Sequence, residues 1–226
     1  MSATATSFQD YVQALERQAG ADARAITARL HAAATPQRGL FIDCGSNLGQ
    51  GFGQFSRYFL PQDFDYVLIE PNPNCWPALE RIVAAGQGRI ELLKQAAGTK
   101  VGVVQFFGLE QDPTSQGGSM LADHNSKYYA ANAASALDVP CFSLAQLIAD
   151  ARARYPSVVL KLDIEGGEYE VLPDLIERGA HKLLDAAYIE FHSQYMAEPK
   201  GAIYRELEAR LKAQIVHDQV PLRIWF

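Results

Sequence analysis

Phe41-Ile42-Asp43-Cys44-Gly45-Ser46-Asn47-Leu48-Gly49 is an apolar run that stops on an acid and turns through two glycines. The run suits a buried strand. Gly45 suits a tight turn with close approach of backbone to a ligand, and Gly49 lets the next helix pack closely. The rhythm around this stretch sets the fold class. Strands are expected at Leu40–Cys44, Tyr66–Glu70, Ile90–Gln95, Val158–Asp163, Ala186–His192 and Leu222–Phe226. Helices are expected at Gln50–Phe59, Cys75–Ala85, Leu144–Tyr155, Tyr169–Arg178 and Ala202–Ala213. Val101–Gly108 is β-rich. Such alternation predicts an α/β protein whose mostly parallel sheet is covered by helices on both faces. In such sheets ligands bind beyond the carboxyl ends of the strands, so the strand-end residues Asp43, Glu70, Gln95, Asp163 and His192 are the ones to weigh.

The glycines of Asp43-x-Gly45-x-x-x-Gly49 are four apart and an acid precedes the first. This is not the G-x-G-x-x-G pattern of a dinucleotide loop. A carboxylate beside a pyrophosphate is unfavourable, whereas a ligand bearing an ammonium group tolerates one. The loop therefore favours S-adenosylmethionine (SAM). Glu70 ends the second strand 21 residues past Gly49, where an acid can accept from two ribose hydroxyls. Gln95 and the small Ala96 close the third strand and leave room for a flat ring.

The fourth strand runs into Asp163-Ile164-Glu165-Gly166-Gly167-Glu168. Glu168 suits a helix N-terminus. Asp163 and Glu165 should point into the cleft, as a general base or as oxygen ligands for a divalent metal, with Glu190 as the third metal candidate. Glu190 and His192 share one face of the fifth strand, which makes His192 a candidate base or substrate ligand. His31, His124, His181 and His217 have no such neighbours.

Composition narrows the partners. The chain has 226 residues, 48% hydrophobic and 20% charged, which suits one globular domain rather than a disordered chain. Twenty Lys and Arg against 26 Asp and Glu give a net charge of −6, without a basic stripe, which argues against nucleic acid. Cys44, Cys75 and Cys141 form neither a disulfide framework nor a zinc pattern and are expected as reduced thiols. No apolar run approaches roughly 18 residues, so no membrane span is expected. The N-terminus lacks the marks of a signal peptide, and the expected location is cytoplasmic. Residues 1–36 form a helical lead-in before a domain over 37–226, with a break at Gly20 and a cap at Ser7. Those helices could close over a ligand or build a homodimer contact. Residues 110–135 are polar and irregular; Ser119 and Tyr128 are candidates to reach substrate.

Three blocks, FIDCGSNLGQGFGQF, VLIEPNP and LKLDIEGGEYEVL, with the weaker YIEFH, resemble the FkbM family of SAM-dependent methyltransferases. The resemblance implies a Rossmann-like class I methyltransferase fold with a seven-stranded sheet. It implies SAM as methyl donor and a hydroxyl as acceptor, on a sugar, a glycan or another small natural product. Gly45, Asn47 and Gly49 would line the methionine side of SAM, with Asp43 and Ser46 in the same loop. Glu70 would take the ribose and Asp163 would sit beside the sulfonium, with Asp163, Glu165 or His192 receiving the acceptor proton. The rival readings are a nicotinamide-dependent oxidoreductase and a SAM-fold module that binds without turnover.

Overall fold

The computed structural model describes residues 8–86, 89–109, 118–122, 125–126, 129–130 and 135–225. Helix α1 (Phe8–His31) comes first. Strand β1 (Gly39–Cys44) leads to α2 (Gln50–Phe55), β2 (Phe64–Ile69), α3 (Trp76–Ala85) and β3 (Ile90–Leu93). Then come β4 (Ala96–Gly98), β5 (Gly102–Phe106) and a two-rung ladder of β6 (Asn125–Ser126) with β7 (Tyr129–Ala130). Strand β8 (Leu137–Ser143), α4 (Leu144–Arg154), β9 (Val158–Leu162), α5 (Glu168–Glu177), β10 (Ala186–Ile189), α6 (Lys200–His217) and β11 (Leu222–Ile224) complete the order.

The main sheet runs β11-β10-β9-β1-β2-β3, parallel throughout. It is the doubly covered sheet expected, with six strands among the described residues rather than seven. Strand β1 is central: Ile42 pairs in register with Val67 on one side and Leu160 on the other. Side chains alternate across the sheet. Ile42, Ile69, Leu160 and Leu162 face a core built with α4, α5 and α6. Phe41, Tyr66, Leu68, Val159 and Tyr188 face a second core built with α1, α2 and α3. There Phe41 lies 5.1 Å from the Phe55 ring, 5.2 Å from Phe59 and 5.3 Å from Tyr66. Such aromatic clusters carry a large share of core burial.

Three local expectations change. Gly20 does not interrupt α1, which runs as one helix. A glycine costs a helix about 1 kcal/mol against alanine. The buried stripe Leu15, Ala19, Ala23, Ile26 and Leu30 offsets that cost by seating α1 on the aromatic core. Ser7 lies outside the described residues. Helix α2 stops at Phe55 rather than at 59. Ala96–Gly98 does not merely turn out of β3; it pairs parallel with β8, whose other edge pairs antiparallel with β5, making a separate three-stranded sheet. Among the described residues no helix is long and apolar enough to cross a membrane.

Candidate active site

The loop after β1 is tied to the end of β2. The amides of Gly45 and Ser46 both donate to the Ile69 carbonyl, at 3.0 and 3.1 Å. The buried Ser46 hydroxyl donates to the Asp43 carbonyl at 2.8 Å and accepts from the Ile69 amide at 3.1 Å. Gly45 has φ +76, and a Cβ there would sit 1.6 Å from the Asp163 carbonyl oxygen. Only glycine permits that conformation together with that approach of β1 to β9. Gly49 has φ +98 and precedes α2, where a Cβ would lie 2.3 Å from Ile82 Cδ1.

Glu70, at the tip of β2, is 4% exposed. Its Oε2 accepts from the Asn47 amide and its Oε1 from the Asn72 amide, both at 2.8 Å. Burial pushes its carboxyl up to about 7, against the pull of those two amides. Each oxygen keeps a lone pair for a further donor. Glu70 therefore fixes the glycine loop and still offers acceptors to the cleft.

That cleft has a volume of about 260 Å³ and lies over the carboxyl ends of β1, β2, β9 and β10. Gly45, Ser46, Asn47, Gln50, Gly51, Ile69, Glu70 and Pro71 line one wall. Ala96, Ala97, Phe106, Gly118 and Met120 line the second. Lys161, Asp163, Ile164, Glu165, Glu190 and Trp225 line the third. Asp43, Gly49, Gln95, Ser119 and His192 are not on its surface. The Ser119 hydroxyl donates to the Glu165 carbonyl, so it braces the site from behind. Tyr128 lies outside the described residues.

Lys161, to which the motif reading assigned no role, is the hub of the floor. Its side chain is 2% exposed, inside the otherwise apolar strand β9. Its Nζ lies 2.9 Å from Asp163 Oδ2 and 3.4 Å from Asp43 Oδ1, and donates to the Gly45 carbonyl at 2.8 Å. Burial pulls the ammonium pKa down, but the Asp163 and Asp43 carboxylates more than offset it and hold it above the ordinary lysine value. Asp43 is fully buried, and neither of its oxygens has a hydrogen-bond partner among the described residues. Burial raises its pKa and Lys161 opposes that rise. Its carboxylate lies beneath α2, where a Cβ on Gly51 would meet it at 2.8 Å. The acid before the glycine loop thus faces Lys161 rather than the cleft. The signal in the sequence was a lone cation within Val158–Leu162.

The acids after β9 gather around one imidazole. His192 is 1% exposed. Its Nε2 lies 3.4 Å from Glu165 Oε2, 3.6 Å from Glu190 Oε1 and 3.8 Å from Asp163 Oδ1. Its Nδ1 lies 3.3 Å from Glu168 Oε1. Glu168 is fully buried at the first turn of α5 and accepts from the Ile164 amide at 2.7 Å and the Gly166 amide at 2.8 Å. It shapes the turn and orients the ring. Burial alone would lower the His192 pKa; the Glu168 and Glu165 carboxylates hold it well above the usual histidine value. Burial raises Glu165, which His192 opposes. Burial, with the Asp163 charge, pushes Glu190 up to about 7. Glu165 holds φ 54 and Asn47 φ 44, so two of the three described non-glycine residues with positive φ line the cleft. Such backbone conformations concentrate at functional sites.

Two of the remaining histidines, His31 and His181, have structural settings. His31 lies 2.8 Å from Asp63 and His181 2.8 Å from Asp218. His217 is exposed, and His124 lies outside the described residues. Cys44, Cys75 and Cys141 are buried thiols outside any disulfide. A second hollow of about 310 Å³ adjoins the cleft, bordered by Phe8, Tyr11, Phe191, Gln194 and Lys212. Glu190 and Trp225 line both spaces.

No curated protein matches the chain. Among solved structures it is similar to the methyltransferase FkbM from Methylobacillus flagellatus KT, with 13% identity and a TM-score of 0.46. That alignment covers 76% of this chain and 37% of the other, so the chain spans little more than a third of that relative's length. The model of the methyltransferase FkbM domain matches residues 43–213, which takes in the glycine loop, Glu70, the acidic turn and His192. The chain belongs to the FkbM methyltransferase domain family.

Proposed function

We propose that the chain is a SAM-dependent O-methyltransferase acting on a hydroxyl of a small molecule or glycan. The observation that carries the reading is Glu70: a buried carboxylate, clamped to the glycine loop, that lines the cleft with lone pairs to spare. A ribose diol supplies the two donors that such a group lacks. Ala96 and Ala97 line the cleft with small side chains that leave room for an adenine ring, and Asp163, Glu165 and Glu190 suit a cationic centre. The residues present therefore fit SAM, which when bound supplies an electrophilic methyl on a sulfonium.

The protein's part is to bind, align and take a proton. Methyl transfer needs acceptor oxygen, carbon and sulfur in line, and alignment supplies much of the rate. With SAM bound, the methyl group would pass to the acceptor oxygen, and the hydroxyl proton would pass to a base on the protein. Asp163 and Glu165 line the cleft and face that position; His192 stands behind them. The adjoining hollow, joined at Glu190 and Trp225, would receive the acceptor from the α1 side. Its aromatic border suits the apolar face of a sugar or a polyketide-like body.

Calorimetric titration of SAM and S-adenosylhomocysteine tests the reading. Micromolar binding that Glu70→Ala weakens strongly is expected. Turnover is then sought on hydroxylated glycans, with and without Mg²⁺. Binding of neither ligand overturns the proposal. The strand order, parallel from β3 through β1 to β11, is also that of dinucleotide-binding sheets, so NADH belongs in the same titration. Binding of NADH in place of SAM would select the oxidoreductase reading.

A further inference from the structure

The acidic end of the cleft carries more than a proton acceptor needs. We propose that Asp163, Glu165 and His192 form a divalent-cation site, and that it takes an imidazole-tolerant ion such as Mn²⁺ ahead of Mg²⁺ or Ca²⁺. One ligand atom from each of the three lies within 4.8 Å of the others, close enough to surround a single ion. Reading the motifs alone placed Glu190 third in this set; the structure brings His192 there, with Glu190 Oε1 3.6 Å from its Nε2 at the rim.

The orientation of the imidazole supports a ligand role independently of the acids. His192 is almost wholly buried, and its Nδ1 faces the fully buried Glu168 carboxylate at 3.3 Å. Glu168 is in turn fixed by two backbone amides. With Nδ1 turned to Glu168, Nε2 is the ring atom that faces Asp163 and Glu165, and it would give up its proton on binding the ion. Nitrogen and two oxygens then converge on one point. Metal-binding histidines are commonly held this way, by an outer carboxylate on the far ring nitrogen.

Charge points the same way. Around the β9 and β10 ends the carboxylates of Asp43, Asp163, Glu165, Glu168 and Glu190 face one fixed cation, Lys161, because His192 is neutral as a ligand. The formal excess is then four negative charges in a half-buried place. A divalent ion balances half of it. Ion class follows from the donors. Mg²⁺ and Ca²⁺ favour all-oxygen shells, whereas an imidazole nitrogen beside carboxylates suits Mn²⁺, Fe²⁺ or Zn²⁺. Three protein ligands leave positions open toward the cleft, where an acceptor hydroxyl bound to the ion would lose its proton more readily. That last use rests on the methyl-transfer reading; the binding of the ion does not.

The test is Mn²⁺ titration of the EDTA-treated full chain, followed by electron paramagnetic resonance. One ion per chain at micromolar affinity is expected, with Mg²⁺ a weak competitor. His192→Gln and Glu165→Gln should each lower affinity more than tenfold, and Glu168→Gln by about 10–100-fold through the ring it holds. Thermal melts confirm that each variant is folded, and S-adenosylhomocysteine is titrated into the same samples. Absence of Mn²⁺ binding up to millimolar concentration overturns the site. So does equal Mn²⁺ affinity in folded His192→Gln and Glu165→Gln. Mn²⁺ binding without nucleoside binding keeps the metal site and removes the methyl-transfer reading; the converse does the reverse.

Discussion

Replacing Lys161 with methionine should expose how the floor of the cleft is held together. The two side chains are similar in length and both unbranched, so packing in β9 changes little. The charge balance changes greatly. Lys161 Nζ stands 3.4 Å from Asp43 and 2.9 Å from Asp163. At an effective dielectric near 20, each contact is worth roughly 5–6 kcal/mol before desolvation. Removing one partner of a buried pair costs about 3–5 kcal/mol, because the survivor stays buried and uncompensated. For a chain of this size that is a fall in Tm of about 6–20 °C. The sign of the pH dependence follows from Asp43, whose pKa burial raises in the folded protein. Such a group favours the fold below its unfolded pKa, and that contribution is lost as pH rises through the folded value. Without Lys161 the folded value climbs further, so the loss extends over a wider range of rising pH. Urea denaturation at pH 4.5 and 7.5 should show a small deficit at the lower pH and the full deficit at the higher. Adding Asp43→Asn should recover most of the loss at pH 7.5. Equal deficits at both pH values, or no recovery in the double variant, refute the reasoning.

Gly45→Ala forces a residue with φ +76 and a Cβ 1.6 Å from the Asp163 oxygen. It should cost about 2–4 kcal/mol in denaturation and abolish nucleoside binding by calorimetry. Glu70 has a pKa of about 7, and donors from a ribose favour its ionised form. Affinity for S-adenosylhomocysteine should therefore rise about tenfold from pH 6 to pH 8 and level off above, whereas Glu70→Gln should show no such rise. A flat profile in the wild type refutes that role. Asp22 accepts from Tyr188 Oη at 2.8 Å and from Arg223 Nε at 3.0 Å. Asp22→Ala should lower stability by about 1.5–3 kcal/mol in urea, and a change below about 0.5 kcal/mol would show that α1 is held by its apolar stripe alone.

The strands and helices of the main sheet could be read from the sequence because their signals are local. Phe41–Cys44 is a short apolar run closed by glycines, and Glu70 follows one strand later at the spacing a βαβ unit imposes. The acidic turn after β9 was legible for the same reason. What stayed hidden depends on contacts far apart in the chain. Ala96–Gly98 looks like a turn until β8 arrives some 45 residues later to pair with it. Pro140 within β8 has no backbone N–H to donate and blurs its strand pattern. Asp43 reads as a ligand of the cleft because nothing nearby in sequence shows that Lys161 lies under it. Helix α1 survives Gly20 because a tertiary surface seats its stripe, and local propensity yields to that burial.

Asp22 has a consequence for how the chain is made. It meets Arg223 across 201 residues of sequence. At about 5–20 residues per second, a ribosome delivers that partner roughly 10–40 s after Asp22 itself. Helix α1 is thus synthesised well before the strand that completes its packing. Through that interval its apolar stripe has neither Tyr188 nor β11 to rest on, although Phe41, Phe55 and Phe59 are already in the chain. The nascent protein carries an unfinished aromatic surface until β11 emerges, and a chaperone that shields such surfaces would find a long engagement here.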